Sequence, residues 1–131
     1  MDVAEQPGKN RTILIAEDEH LMLRLLEKFF TRNGYRVLSA SDGEQAVEIY
    51  RHYKTRIAAV LLDVRLPKLA GDEVFRRMKE ENPAVKVVMA SGFLEPQIKT
   101  EMNLTGFNRF VNKPYELDNL FQVVQSVIEE R

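Results

Sequence analysis

Short aliphatic and β-branched runs alternate with stretches whose apolar residues recur every three or four positions, and the alternation repeats five times along the chain. The runs at 11–16 (RTILIA), 35–40 (YRVLSA), 57–62 (IAAVLL), 85–90 (VKVVMA) and 107–111 (FNRFV) read as strands. Ile57 to Leu62 is apolar without interruption, the pattern of a strand covered on both faces, and Pro67 closes that segment. A helix is predicted over 20–32, where Leu21, Met22, Leu25, Leu26, Phe29 and Phe30 fall at helical spacing before Asn33-Gly34 stops it. Ser41 or Asp42 can cap a second helix that turns Ala46, Val47, Ile49, Tyr50 and Tyr53 inward. A third spans 72–81 with Val74, Phe75 and Met78 inward, and Asn82-Pro83 ends it. A more polar fourth is predicted over 94–104. The fifth, 116–130, has the clearest stripe: Leu117, Leu120, Phe121, Val124, Val127 and Ile128. Residues 1–10 carry Pro7 and Gly8, lack periodicity, and are expected to form a flexible amino-terminal arm.

Five strand–helix alternations without a linker or repeat predict one α/β domain, a parallel sheet with helices on both faces. Right-handed crossovers place every strand's carboxyl end on one edge, where doubly wound sheets bind their ligands. Glu17 and Asp18 follow the first strand, Asp63 the third, Ser91 the fourth and Lys113 the fifth. In a five-stranded sheet ordered 2-1-3-4-5 the first and third strands are neighbours, ~4.8 Å apart. Asp18 and Asp63 then face one small volume, with Glu17 beside them.

Three carboxylates so close repel one another, and a bound cation removes the conflict. All-oxygen ligands suit magnesium, or manganese in its place, rather than zinc. Lys113 adds a mobile positive charge and Ser91 a hydroxyl. Together they make a site for a phosphoryl group, with a carboxylate available as nucleophile. Each residue alone has an ordinary reading: an Asp after a strand is a cap or turn residue, and Glu17-Asp18-Glu19 is a favourable helix start. Their joint placement at four of five strand ends is what points to a site.

Composition removes several alternatives. The 131 residues hold 19 basic and 20 acidic side chains, so no basic excess invites direct nucleic-acid binding. Cysteine is absent, which excludes disulfides, thiolate catalysis and cysteine-based zinc sites. His20 and His52 lie far apart and read as solvated helix residues. No apolar run approaches the ~20 residues of a membrane span, and the amino terminus has no signal-peptide pattern, so a cytoplasmic location is expected.

Four pieces of the chain resemble the receiver domain of two-component response regulators: Ile13 to Glu19 (ILIAEDE), Leu61 to Pro67 (LLDVRLP) with Gly71, Ala90-Ser91-Gly92, and Val111 to Pro114 (VNKP). The resemblance covers residues 11–131 and implies a flavodoxin-like, doubly wound five-stranded sheet with five helices, close to the chemotaxis regulators. It implies that Asp63 accepts a phosphoryl group from a phosphohistidine on a sensor histidine kinase or a histidine phosphotransfer protein. It implies magnesium held by Asp18, Asp63 and the backbone carbonyl of Arg65, with Glu17 contributing directly or through water. Ser91 and Lys113 would hold the phosphoryl oxygens, Lys113-Pro114 would be a cis peptide, and Ser91 with Phe110 would form the switch. The output face would be the fourth helix, fifth strand and fifth helix, serving a downstream protein target or a phosphorylation-dependent dimer. Such a protein is a signalling switch with only self-catalysed phosphorylation and dephosphorylation, not an enzyme on a metabolite.

The chain departs from the family's commoner pattern at three places. Glu17 stands where many receivers carry aspartate, Phe110 lacks tyrosine's hydroxyl, and Arg65 brings a long cation to the site entrance. Ser91-Gly92 resembles receivers attached to hybrid sensor kinases, so the domain also reads as a piece of such a kinase or a larger regulator. An aspartate-nucleophile phosphatase would need a second carboxylate where Arg65 stands. A phosphorylation-independent interaction module would have no use for the intact acidic set. Phe110 as simple core filling remains an equal reading beside its switch role.

Overall fold

The computed structural model describes residues 10–92 and 109–130. The elements are β1 (Thr12–Ala16), α1 (His20–Arg32), β2 (Arg36–Ala40), α2 (Gly43–Tyr53), β3 (Ile57–Asp63), α3 (Gly71–Glu81), β4 (Val87–Ser91), β5 (Arg109–Asn112) and α4 (Leu117–Glu129). The helix predicted over 94–104 and nine residues of the predicted arm, 1–9, lie outside the described residues. All strand pairs are parallel, in the expected order β2-β1-β3-β4-β5.

Alternation along each strand divides the core into two layers. Leu14, Val60, Leu62, Val87 and Met89 face α2 and α3, where they meet Tyr50, Phe75 and Met78. Ile13, Ile15, Leu61, Val88 and Val111 face α1 and α4, where they meet Leu26, Phe30, Leu120 and Val124. Phe30 packs edge-on against Tyr35 with ring centroids 5.6 Å apart, and Phe121 closes on Tyr35 at 6.0 Å. Such pairs add to the burial of their own surface.

Three side chains depart from the inward pattern. Tyr53, the last residue of α2, is 38% exposed. On α1, Leu21 and Leu25 are exposed at 78% and 46%, so the apolar stripe is wider than the strip that the sheet covers. Both histidines are exposed, as expected.

Strand boundaries also shift. The fourth strand begins at Val87 rather than 85, and the second at Arg36 rather than 35. Asp63 and Ser91 are the last residues of their strands rather than the first beyond them, because each still pairs in the ladder: Asp63 opposite Ala90, and Ser91 opposite Asn112. Each of the two is thereby held by the ladder on one side, Asp63 toward β4 and Ser91 toward β5. Of the two proposed caps for α2, Asp42 serves: its Oδ1 accepts the Gln45 N–H at 2.8 Å. The Gln45 side chain in turn accepts the Ser41 N–H at 2.7 Å.

Candidate functional site

Register decides what meets at the carboxyl edge. Ala16 pairs with Leu62, so the next residue on each strand, Glu17 and Asp63, come level with each other. Ser91 and Asn112 pair one strand over, and Lys113 follows directly. The Lys113 N–H donates to the Ser91 carbonyl at 2.8 Å, extending the ladder by one bond. The peptide between Lys113 and Pro114 is cis, as the resemblance implies.

Glu17 and Asp63 are 1% and 5% exposed, and Asp18 is open to solvent. One carboxylate oxygen from each of Glu17, Asp18 and Asp63 lies within 4.8 Å of the others. Every oxygen of the two buried carboxylates has a donor. The Lys113 ammonium donates to Glu17 Oε1 at 2.6 Å and to Asp63 Oδ2 at 2.9 Å. The Glu19 N–H donates to Glu17 Oε2 at 3.1 Å, and the Arg65 N–H to Asp63 Oδ1 at 3.0 Å. A carboxylate oxygen accepts more than one bond, so these contacts leave room for a cation.

The charges press on one another. Burial pushes the Glu17 carboxyl above the usual carboxylate range; Lys113 and the Glu19 N–H pull it back in part, and the Asp63 charge pushes the same way as burial. For Lys113, burial works against the charge, but the bonds to Glu17 and Asp63 outweigh it and the ammonium stands above the ordinary lysine value. Three acids and one ammonium remain electron-rich, and a hard cation is the complement such an oxygen set takes. The donor set therefore fits magnesium.

Of the other expected residues, Ser91 and Arg65 reach the same edge, and Phe110 lies within β5 short of it. Ser91 is buried at the end of β4. Arg65 presents its side chain to solvent beside Asp63 while its backbone serves the carboxylate. Phe110 is half-buried in β5, opposite Met89, and packs on the layer under α2 and α3. Gly71 gives the loop after β3 its close return: its N–H donates to the Val64 carbonyl at 2.8 Å, and a Cβ there would sit 2.7 Å from the Asp63 carbonyl oxygen.

Tyr115 was not among the residues singled out from the sequence. The Lys113 ammonium lies 5.7 Å from its ring centroid, within cation–π range. Its hydroxyl pKa is pushed up, first by burial and then by the charges of Glu17 and Asp63. The available signal was an aromatic residue directly after Lys113-Pro114, which reads equally well as core.

Comparison with known proteins shows the family. The family model described as response regulator receiver domain matches residues 13–125, and the chain belongs to that family of two-component signalling domains. The chain is 29% identical to the sporulation initiation phosphotransferase F of Bacillus subtilis, over 91% of this chain and 94% of that protein. It is 28% identical to a cyclic di-GMP phosphodiesterase of Thermotoga maritima over 92% of this chain, but it spans only 32% of that longer protein. Among solved structures, a complex of CheX and CheY with BeF3 and magnesium from Borrelia burgdorferi matches with a TM-score of 0.88 and 28% identity, over 96% of this chain and 100% of that one.

Proposed function

We propose that Asp63 is the phosphoacceptor of this receiver. The observation that carries the reading is the Asp63 carboxylate itself: buried, clamped between the Arg65 N–H and the Lys113 ammonium, and level with Glu17 and Asp18. A carboxylate held this way is positioned for in-line attack.

In the reaction, an Asp63 oxygen attacks the phosphorus of a phosphohistidine. The P–N bond breaks as the P–O bond forms, the imidazole leaves with the bonding pair and takes up a proton, and an acyl phosphate remains on Asp63. Magnesium, or manganese in its place, would be held by Asp18, Asp63 and the Arg65 carbonyl with Glu17 beside them, and would neutralise the transferring phosphoryl oxygens. Lys113 and the Ser91 hydroxyl then hold those oxygens. Moving Lys113 and Ser91 toward the phosphate relays occupancy to β5 and to Phe110, which turns inward by packing alone. The domain is thus a switch whose only chemistry is on itself. Its donor is a sensor histidine kinase or a histidine phosphotransfer protein, its reader is a downstream protein or a second copy of itself, and it works in the cytoplasm.

Incubation with magnesium and acetyl phosphate should give an acid-stable, base-labile adduct on the wild type and none on Asp63→Asn. Equal modification of both proteins, or of neither, would overturn the reading.

A further inference from the structure

The loop between β3 and α3 carries the Arg65 carbonyl, and one residue of a different element grips its far bend. Pro67 O accepts the Leu69 N–H at 2.7 Å and, from the first residue of α2, the Gly43 N–H at 3.0 Å. Gly43 is buried against this bend so closely that a Cβ on it would lie 1.9 Å from the Leu69 carbonyl oxygen. The preceding residue adds to the grip. While Asp42 Oδ1 caps α2, its Oδ2 faces the Lys68 ammonium at 3.5 Å. Lys68 itself takes the left-handed backbone conformation, φ 68°, which a residue other than glycine holds only where its surroundings impose it.

We propose that Gly43 is a positioning residue for the phosphorylation site: the first turn of α2 sets where the Arg65 carbonyl sits, and so how tightly the site holds magnesium. The inference rests on the reading of Asp63 and the Arg65 carbonyl given above. The near end of the loop is held by the Gly71 N–H on Val64 O, and Leu66 packs in the core next to Pro67. The far bend, from Pro67 to Leu69, takes its place from α2. The fixed φ of Pro67 removes one of the torsions that could absorb a displacement of the bend before it reaches the Leu66 and Arg65 peptides. A methyl group at position 43 requires the Leu69 carbonyl to retreat by about 1 Å to reach the shortest separations that real side chains show. Mutating the groups that support a metal ligand typically costs 10- to 100-fold in metal affinity.

Two measurements with magnesium alone test this. Titrated at low temperature, where the variant is fully folded, Gly43→Ala should bind magnesium about tenfold more weakly than the wild type. A fold-stabilising role alone would lower the melting temperature and leave that affinity unchanged, and this result would overturn the proposal. In the wild type, magnesium should shift the backbone amide NMR signal of Gly43 together with that of Arg65. This second readout decides the matter if Gly43→Ala does not fold: a Gly43 amide that stays put while the Arg65 amide moves sinks the inference. Absence of magnesium binding by the wild type would remove the site reading and this inference together. Normal wild-type binding with an unaffected Gly43→Ala removes this inference alone.

Discussion

The Lys113 ammonium bridges two buried carboxylates from neighbouring strands, 2.6 Å from Glu17 and 2.9 Å from Asp63. It ties the end of β5 to the ends of β1 and β3. In a site without a cation or phosphoryl group, this one side chain offsets part of a threefold negative charge.

Removing it should therefore be costly to stability before it is costly to chemistry. Lys113→Met is expected to destabilise the metal-free protein by about 2–3 kcal/mol in urea denaturation, because two buried carboxylates lose their partner. Phosphorylation of Asp63 by acetyl phosphate should persist, while the accompanying shifts of β5 amide signals fade. An unchanged β5 response in Lys113→Met would show that the lysine does not couple phosphorylation to the fold.

The same pair predicts a pH dependence. The folded-state pKa of Lys113 is raised, so its stabilisation is complete below the unfolded lysine value and is lost as pH rises through the higher folded value. The window lies above the ordinary value of 10.5. Wild-type melting temperature should fall there more steeply than that of Lys113→Met, and parallel curves would exclude this source.

Asp63→Asn should behave oppositely to Lys113→Met. The Asp63 charge helps to push the Glu17 carboxyl up, so neutralising it relieves repulsion, while the amide oxygen can still accept from Lys113. A gain of about 1 kcal/mol is expected in EDTA, in line with the stability that functional sites commonly give up. The gain should shrink with magnesium, which relieves the wild type alone. A loss of stability in EDTA would mean that the Asp63–Lys113 bond outweighs the repulsion.

Phe110 separates packing from switching. Phe110→Leu keeps an apolar side chain on the layer under α2 and α3, so stability should change by less than about 1.5 kcal/mol and phosphorylation should be normal. If the ring's turn carries the switch, the phosphorylation-dependent shifts in β5 should be lost. Their survival would make Phe110 core filling.

Much of this was legible because the relevant signals are periodic or local. The unbroken apolar run before Asp63 could only be an inner strand, and strand alternation with helices left one topology in which Glu17, Asp18, Asp63, Ser91 and Lys113 share an edge. What stayed hidden depended on contacts between segments distant in the chain. Nothing local to Asp42-Gly43 reveals that a backbone bend near Pro67 will lie against it; the pair reads as a helix cap and no more. Leu21 and Leu25 have the spacing of core residues, and only the position of the sheet leaves them in solvent. The exact strand ends escaped for the same reason, since ladder pairing rather than composition keeps Asp63 and Ser91 inside their strands.

β5 is a four-residue strand at the sheet's margin, yet two adjacent side chains engage opposite layers: Phe110 lies on one and Val111 in the other. Arg109 at its start reaches the Ser126 hydroxyl of α4 at 3.3 Å, and Lys113 follows its last residue. So short a segment has little slack to take up a pull at one end. A pull on the ammonium would run along it as along a latch bar and reach both faces of the molecule at once, turning a local charge event into a mechanical one.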